Sequence, residues 1–277
     1  MSASRKEAES ADGLRTVEMG FVHSPGVLLI LKEDPSARQP PSDFAGLYHY
    51  AALVPNRWSL ASTFLAIGNS GTPYEGFADH QVSESLYLHD VESNGIEIYA
   101  DRPRSVWLDW RKISEQVSAT GDMSLMAPMR QPLDLDSLLT ELGEDPARAK
   151  PLPFPKGAKI GHMHLRVTDL ERSLRFYHEV LGLEIMMNVP QMGAAFLSAG
   201  GYHHHIGLNT WHSQDGAPHE DGEAGLDELK ILVPEPAVLG DVARRVPDSR
   251  IEGGSLTIRD PDGIRISMVT QPTKRQA

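Results

Sequence analysis

The chain has 277 residues, 40% hydrophobic and 23% charged, a composition of globular type and a length that suits two ordinary domains, each with its own core. Its formal net charge of −12 repels nucleic acid and anionic membrane surfaces at long range, which leaves a small molecule as the expected partner. Cysteine is absent, which rules out disulfides, thiolate metal sites and a cysteine nucleophile; any metal must be held by His, Asp or Glu, and a reducing cytoplasm is the expected compartment.

The opening MSASRKEAESADGLR has no apolar core for a signal peptide, and no apolar run approaches the roughly 20 residues of a membrane span. A frayed polar start is expected over residues 1–17. MGFVHSPGVLLIL, from Met19, then reads as one strand-like segment carrying His23. From Gly46, GLYHYAALVPNRWSLASTFL reads as a strand over Tyr48 to Val54 followed by a helical run, and His49 shares a strand face with the small Ala51. Two further strands follow. Leu86 and Leu88 pack one way, so Tyr87 faces the other way with Ser85 and His89; Ile96 and Ile98 pack one way, so Glu97 and Tyr99 look the other. His49, Tyr87 and Glu97 can therefore line one concave surface. A histidine and a carboxylate on adjacent rigid strands supply two positions of a 2-His-1-carboxylate triad, which leaves coordination sites on Fe(II) for substrate and oxygen.

Residues 104–157 lack sustained periodicity, contain MAPMRQPLDLDSLLTEL as one short helix and end in PLPFPKG, the pattern of a connector. Beyond it, AKIGHMHLRV alternates as a strand, with Met163, Leu165 and Val167 on the apolar face and His162, His164 and Arg166 on the other. Thr168 and Glu171 have the spacing of a capping box. The helix they open carries Leu170, Leu174, Tyr177 and Leu181 on one stripe and stops at Gly182. Three strands follow, over Leu183 to Met187, Ala194 to Ala199 and His203 to Asn209, completing a β-α-β-β-β unit. In GGYHHHIGLNTW, strand alternation points His203 and His205 one way and His204 the other, a poor arrangement for chelating one ion, so a structural or substrate-lining role is expected. His178, His212 and His219 read as surface histidines.

The halves repeat each other. GLYHYAALVPNRWSLASTFL lines up without gaps with GLDELKILVPEPAVLGDVAR from Gly225, and DVESNGIEI from Asp90 matches DPDGIRISM from Asp260. In that alignment Glu228 stands in the place of His49 and Ser267 in that of Glu97, so the second half cannot build the triad alone. The expected fold is α+β, of repeated βαβββ units; that these form two open barrel-like half-sites, the first unit incomplete at its N-terminus, is what a resemblance of these segments to a known family implies. The expected domains are residues 18–105, a linker over 106–157 and a second domain over 158–272.

The motifs IGHMHLRVTDLERSLRFYHEVLGLEI, GLYHYAALVP, DHQVSESLYLHDVESNGIEIYADRP and FLSAGGYHHHIGLNTW together resemble the vicinal oxygen chelate superfamily of glyoxalases, bleomycin-resistance proteins and extradiol dioxygenases, the last two motifs especially its catechol-2,3-dioxygenase-like branch. In that family, paired βαβββ units cup a divalent metal. The resemblance implies a ring-cleavage dioxygenase that acts on a catechol-like aromatic with O2 and uses Fe(II) or, alternatively, Mn(II). It puts His49 at a ligand histidine, Glu97 at the carboxylate ligand, Tyr87 at the tyrosine that hydrogen-bonds the reacting species, His80 near a further histidine of the site, and His23 at an acid/base position. The family's first strand, which bears the first ligand, has no counterpart here, so three completions stand open: an N-terminal part missing from this sequence, His162 completing the set with His49 and Glu97, or a binding protein without metal. The resemblance also keeps two other activities in view, a bleomycin-resistance type binder and a glyoxalase-like isomerase or lyase. An exposed edge on the incomplete first unit gives a motive for homodimer formation.

Overall fold

The structure, a computed structural model, describes residues 3–10, 13–21, 27–143, 155–247 and 249–270. The polar start is not frayed. β1 (Ala3–Glu9) pairs antiparallel with β2 (Arg15–Phe21), from Ala3 opposite Phe21 to Glu9 opposite Arg15, and β3 (Leu29–Lys32) lies along the other edge of β2. Alternating charges on β1 and β2 meet across the ladder: Lys6 lies 3.8 Å from Glu18, and Arg15 reaches Glu7 at 3.4 Å and Glu33 at 3.2 Å. Such exposed pairs contribute little, so the backbone ladder carries this hairpin; β1 has no apolar period, and the alternation of Val17, Met19 and Phe21 is confined to β2. The expected single segment from Met19 is instead the end of β2 and the separate β3; His23 lies outside the described residues.

The chain divides into two compact units, residues 1–36 with 48–164, and residues 37–47 with 165–277. In the first, β4 (Gly46–Leu53), α1 (Arg57–Ser70), β5 (Gly76–Asp79), β6 (Ser83–His89) and β7 (Gly95–Asp101) make a complete βαβββ module. Asn56 caps α1 by accepting from the Ser59 amide, and Gly71 ends it in the left-handed conformation. The strands run β5-β6-β7-β4, with β4 and β7 parallel, and β8 (Lys159–Arg166) follows β4 in the sheet. Alternation sorts the two faces. Ala52, Leu86, Leu88, Ile98 and Ala100 pack with Leu60, Ala61 and Ile67 of α1 into the core, which leaves their sequence neighbours on the opposite face.

The connector is more structured than its composition announces. A helix that the periodicity does not predict, α2 (Trp110–Thr120), begins at the Asp109 cap and ends at Gly121. Trp110, Ile113 and Val117 stand at i, i+3 and i+7, an apolar stripe over one short helix rather than a sustained period, and Trp110, Ser114 and Val117 are buried. The expected helix in residues 126–142 contracts to α3 (Leu135–Leu139) with a 3₁₀ turn on either side, because Pro128 and Pro132 exclude a continuous helix. Leu133 and Leu138 enter the core, and Arg57 holds the segment through the Ser137 carbonyl at 3.0 Å and its hydroxyl at 3.1 Å.

The second unit contains α4 (Leu170–Arg175), which continues as a π-helical turn over Phe176–Val180, then β9 (Glu184–Val189), β10 (Ala194–Ser198) and β11 (Ile206–Asn209) in the order β11-β10-β9. Leu174, Tyr177 and Leu181 are buried and Gly182 ends the helix as expected. The cap is different: Asp169, not Thr168, accepts from the Arg172 amide, because the Thr168 hydroxyl is taken by the fully buried Asp262. A further module follows, β12 (Leu229–Val233), α5 (Pro236–Ala243), β13 (Ile251–Glu252), β14 (Ser255–Arg259) and β15 (Arg265–Thr270), in the order β12-β15-β14-β13 with β12 and β15 parallel.

The internal repeat holds at the level of register. Ala51 stands opposite Glu97 across β4 and β7, and Lys230 opposite Ser267 across β12 and β15, the pairs the alignment of the halves matches. The turns agree as well. Asp90 accepts from the amides of Glu92 and Asn94, and Asp260 from those of Asp262 and Ile264; Ser93 (φ 66°) and Gly263 (φ 87°) occupy the same left-handed position. The fold is thus α+β, of repeated βαβββ modules with sheets curled into open half-barrels. Among the described residues no helix is long and apolar enough to cross a membrane.

Candidate metal centre

Three side chains from the first unit converge on one carboxylate oxygen. His49 on β4 places Nε2 3.0 Å from Glu97 Oε2, His162 on β8 places Nε2 3.1 Å from the same oxygen, and the two imidazole nitrogens are 3.4 Å apart. One ligand atom from each of the three lies within 4.8 Å of the others, and all three residues are buried, at 7%, 2% and 3% exposure for His49, Glu97 and His162. Strand alternation explains the convergence: each sits on the face turned away from α1, beside Ala51, whose small side chain leaves room opposite Glu97.

Two imidazoles and a carboxylate are a donor set suited to a divalent cation, and burial without one would leave the carboxylate's charge dependent on the two histidines and one hydroxyl. Burial pushes the Glu97 carboxyl upward, but the charges and hydrogen bonds of His162 and His49 outweigh it and hold the group well below the usual carboxylate range. Glu97 is therefore ionised, as a ligand must be. Its other oxygen, Oε1, accepts from the Ser85 hydroxyl at 2.7 Å.

Tyr87 and His80 stand as a linked pair beside these residues. Tyr87 is opposite Glu97 in the β6–β7 register, and its ring lies 5.9 Å from that of His49. His80 Nδ1 is 3.0 Å from the Met129 carbonyl, which can only accept, so Nδ1 carries the proton; Nε2 then accepts from the Tyr87 hydroxyl at 2.7 Å. Burial, reinforced by the Glu97 charge, raises the Tyr87 phenol well above its ordinary value against the opposing pull of Ser85 and Arg130, so it stays protonated.

Alternation places Ser85, Tyr99 and His164 on the same face as these groups but says nothing of what they do there. The fully buried Tyr99 packs its ring 4.9 Å from that of His162, and its neighbour across the sheet is Gly161. His164, 4% exposed, sets its ring edge-on to His49 at 4.9 Å. Position on a face is legible in a sequence; the hydrogen bond or ring contact made there is not.

The histidine run departs from its strand reading. β11 begins only at Ile206, so His203–His205 sit in a bend where alternation does not apply. His203 and His204 are both buried, with their Nδ1 atoms 2.8 Å apart and His204 stacked on Phe196 at 4.5 Å, while His205 is exposed and accepts through Nδ1 from the Ala199 amide. His178 and His212 are exposed as expected, but His219 is buried, because the Asp260–Ile264 turn packs over it and its amide donates to the Asp262 carbonyl. In the second unit Glu228 is exposed and lies near Lys230, and Ser267 bonds to Thr257.

The sequence model of the Glyoxalase/Bleomycin resistance protein/Dioxygenase superfamily matches residues 159–268. A protein named catechol-2,3-dioxygenase from Bacillus subtilis (strain 168) is 41% identical over 221 residues, 79% of this chain and 72% of that protein. Two solved structures share the fold: a dioxygenase candidate from Bacillus subtilis subsp. subtilis str. 168 (TM-score 0.57, 13% identity, covering 98% of this chain and 77% of the other) and glyoxalase I from Zea mays (TM-score 0.53, 14% identity, covering 97% and 83%). With its repeated βαβββ modules and this degree of identity to one relative, the chain belongs to the glyoxalase/bleomycin resistance/dioxygenase superfamily, the vicinal oxygen chelate proteins.

Proposed function

We propose that this protein is an extradiol ring-cleavage dioxygenase of the catechol 2,3 type, acting on a catechol-like aromatic with O2 in the cytoplasm, with Fe(II) or alternatively Mn(II) held by His49, Glu97 and His162. The observation that carries the reading is the convergence of two imidazoles and one carboxylate on a single point, in a chain 41% identical to a protein named for that reaction. When bound, the metal would gather the vicinal oxygens of a catechol and O2 and pass electrons between them without an external reductant.

The protein's own contribution is charge, proton position and exclusion of water. Glu97 supplies one negative charge, fixed by burial and by Ser85. Tyr87 holds its phenolic proton toward His80 Nε2, so a proton leaving the phenol has an acceptor at 2.7 Å, and the His80 ring is fixed by its other nitrogen on the Met129 carbonyl. These two, with His23, are the proton-handling groups of the proposal.

The test is metal content of anaerobically purified protein together with catechol-dependent oxygen uptake, for the wild type and for His49→Ala, Glu97→Ala and His162→Ala. Near-stoichiometric iron that disappears in all three variants, with uptake in the wild type alone, is the expected outcome. No uptake by protein fully loaded with iron refutes the reading.

A further inference from the structure

The two oxygens of Glu97 have different partners. Oε2 faces the His49 and His162 nitrogens at 3.0 and 3.1 Å, while Oε1 receives the Ser85 hydroxyl at 2.7 Å. Ser85 is 0% exposed and stands opposite Tyr99 on β7, one pleat from Glu97, so it reaches the carboxylate diagonally across the β6–β7 ladder. The Ser85 hydroxyl is the donor of this bond and the Glu97 oxygen its acceptor.

We infer that Ser85 is a positioning residue that reserves Oε1 and leaves Oε2 as the sole oxygen Glu97 offers a metal, an inference that rests on the metal-centre reading above. The terminal torsion of a glutamate is soft and nearly two-fold, so nothing in the side chain itself prevents both oxygens from turning toward a cation. The buried hydroxyl supplies what the torsion lacks. With Oε1 engaged, the protein would give a bound metal one donor atom from each of three residues and leave the rest of its coordination to small molecules. Hydrogen-bonded partners behind a ligand of this kind typically affect metal affinity by roughly 10- to 100-fold.

The experiment compares wild type, Ser85→Ala, Ser85→Thr and Ser85→Cys, each stripped of metal and titrated anaerobically with Co(II) against a competing chelator, with the visible ligand-field spectrum recorded at saturation and thermal melts of the metal-free proteins as the folding control. Ser85→Ala is expected to bind Co(II) roughly 10- to 100-fold more weakly with an altered spectrum, Ser85→Thr to retain affinity and spectrum through its hydroxyl, and Ser85→Cys, a weaker donor, to fall between. Wild-type affinity and spectrum in Ser85→Ala overturn the inference; should that variant not fold, the same result in Ser85→Cys overturns it. A wild type that binds no Co(II) overturns the metal-centre reading itself and the role of Ser85 with it, a result distinct from any difference among variants.

Discussion

Gly161 is expected to be the position where one methyl group disturbs both fold and site. A Cβ there would overlap the Tyr99 hydroxyl, stand 2.7 Å from Tyr99 Cζ and press Leu53 Cβ at 3.0 Å, against ordinary contact from 3.4 Å outward. Cζ must therefore retreat by 3.4 minus 2.7, about 0.7 Å, and the hydroxyl by more. Tyr99 has no free volume to enter, being fully buried, and its ring lies 4.9 Å from the His162 ring, so the displacement is passed to the imidazole. A metal site tolerates about 0.5 Å of misplacement. Gly161→Ala should thus cost about 1–3 kcal/mol of stability, a fall of roughly 2–4 °C in melting temperature per kcal/mol, and weaken Co(II) binding by about 10- to 100-fold. Calorimetry and chelator competition measure the two effects. Gly76→Ala, where a Cβ meets nothing within 4 Å, is the control and should change neither. Adding Tyr99→Phe to Gly161→Ala removes the atom of worst overlap and should restore part of both losses, a coupling a double-mutant cycle detects. Gly161→Ala that melts and binds metal like the wild type would refute the packing argument.

Other substitutions test other parts of the structure. Ser93 holds a left-handed conformation (φ 66°) that glycine adopts in the matching turn of the repeat, so Ser93→Gly should stabilise the protein by roughly 0.5–1 kcal/mol in urea denaturation; destabilisation would show that the turn is not strained. Asp169→Ala should cost about 0.5–2 kcal/mol through loss of the cap on the Arg172 amide, measured the same way, and a neutral result would return the cap to Thr168. Burial raises the Asp260 carboxyl to about 6, against the help of the Tyr177 hydroxyl and the Ile264 amide. Because the folded-state value lies above the ordinary one, this group's contribution is complete below about pH 3.8 and is lost as pH rises through 6. The difference of about two units is worth about 3 kcal/mol, and Asp260→Asn should remove that share of the decline between about pH 4 and 7; an unchanged pH profile would refute it.

What could be read in the sequence was what strand alternation decides. Two-residue periodicity put His49, Ser85, Tyr87, Glu97 and His162 on inward faces, because one face of each strand had to pack on a helix. Alternation fails where its premise does. The β1–β2 hairpin is held by backbone pairing and exposed ion pairs, and its first strand, ASRKEAE, shows no apolar period. His203–His205 lie in a bend, where neighbouring side chains need not diverge and two imidazoles are buried together. The Thr168–Glu171 spacing predicts Thr168 as the cap, and the cap passes to Asp169 because Asp262, 94 residues away, takes the Thr168 hydroxyl.

The same limit explains why the chain carries one candidate metal centre among its described residues although its backbone is repeated. The register that sets Glu97 opposite Ala51 also sets Ser267 opposite Lys230, and the aspartate turns leading into both strands bond alike. A second carboxylate at position 267 would therefore enter a sheet of the right geometry, yet it would meet the Thr257 hydroxyl and no imidazole at the place of His49, since Glu228 stands exposed before β12 begins and Lys230 points to solvent. The backbone of a βαβββ module supplies a curved surface with fixed register. Chemistry depends on which side chains occupy that surface, so function in this superfamily is decided by a few residues at positions the fold keeps in place whether they are used or not.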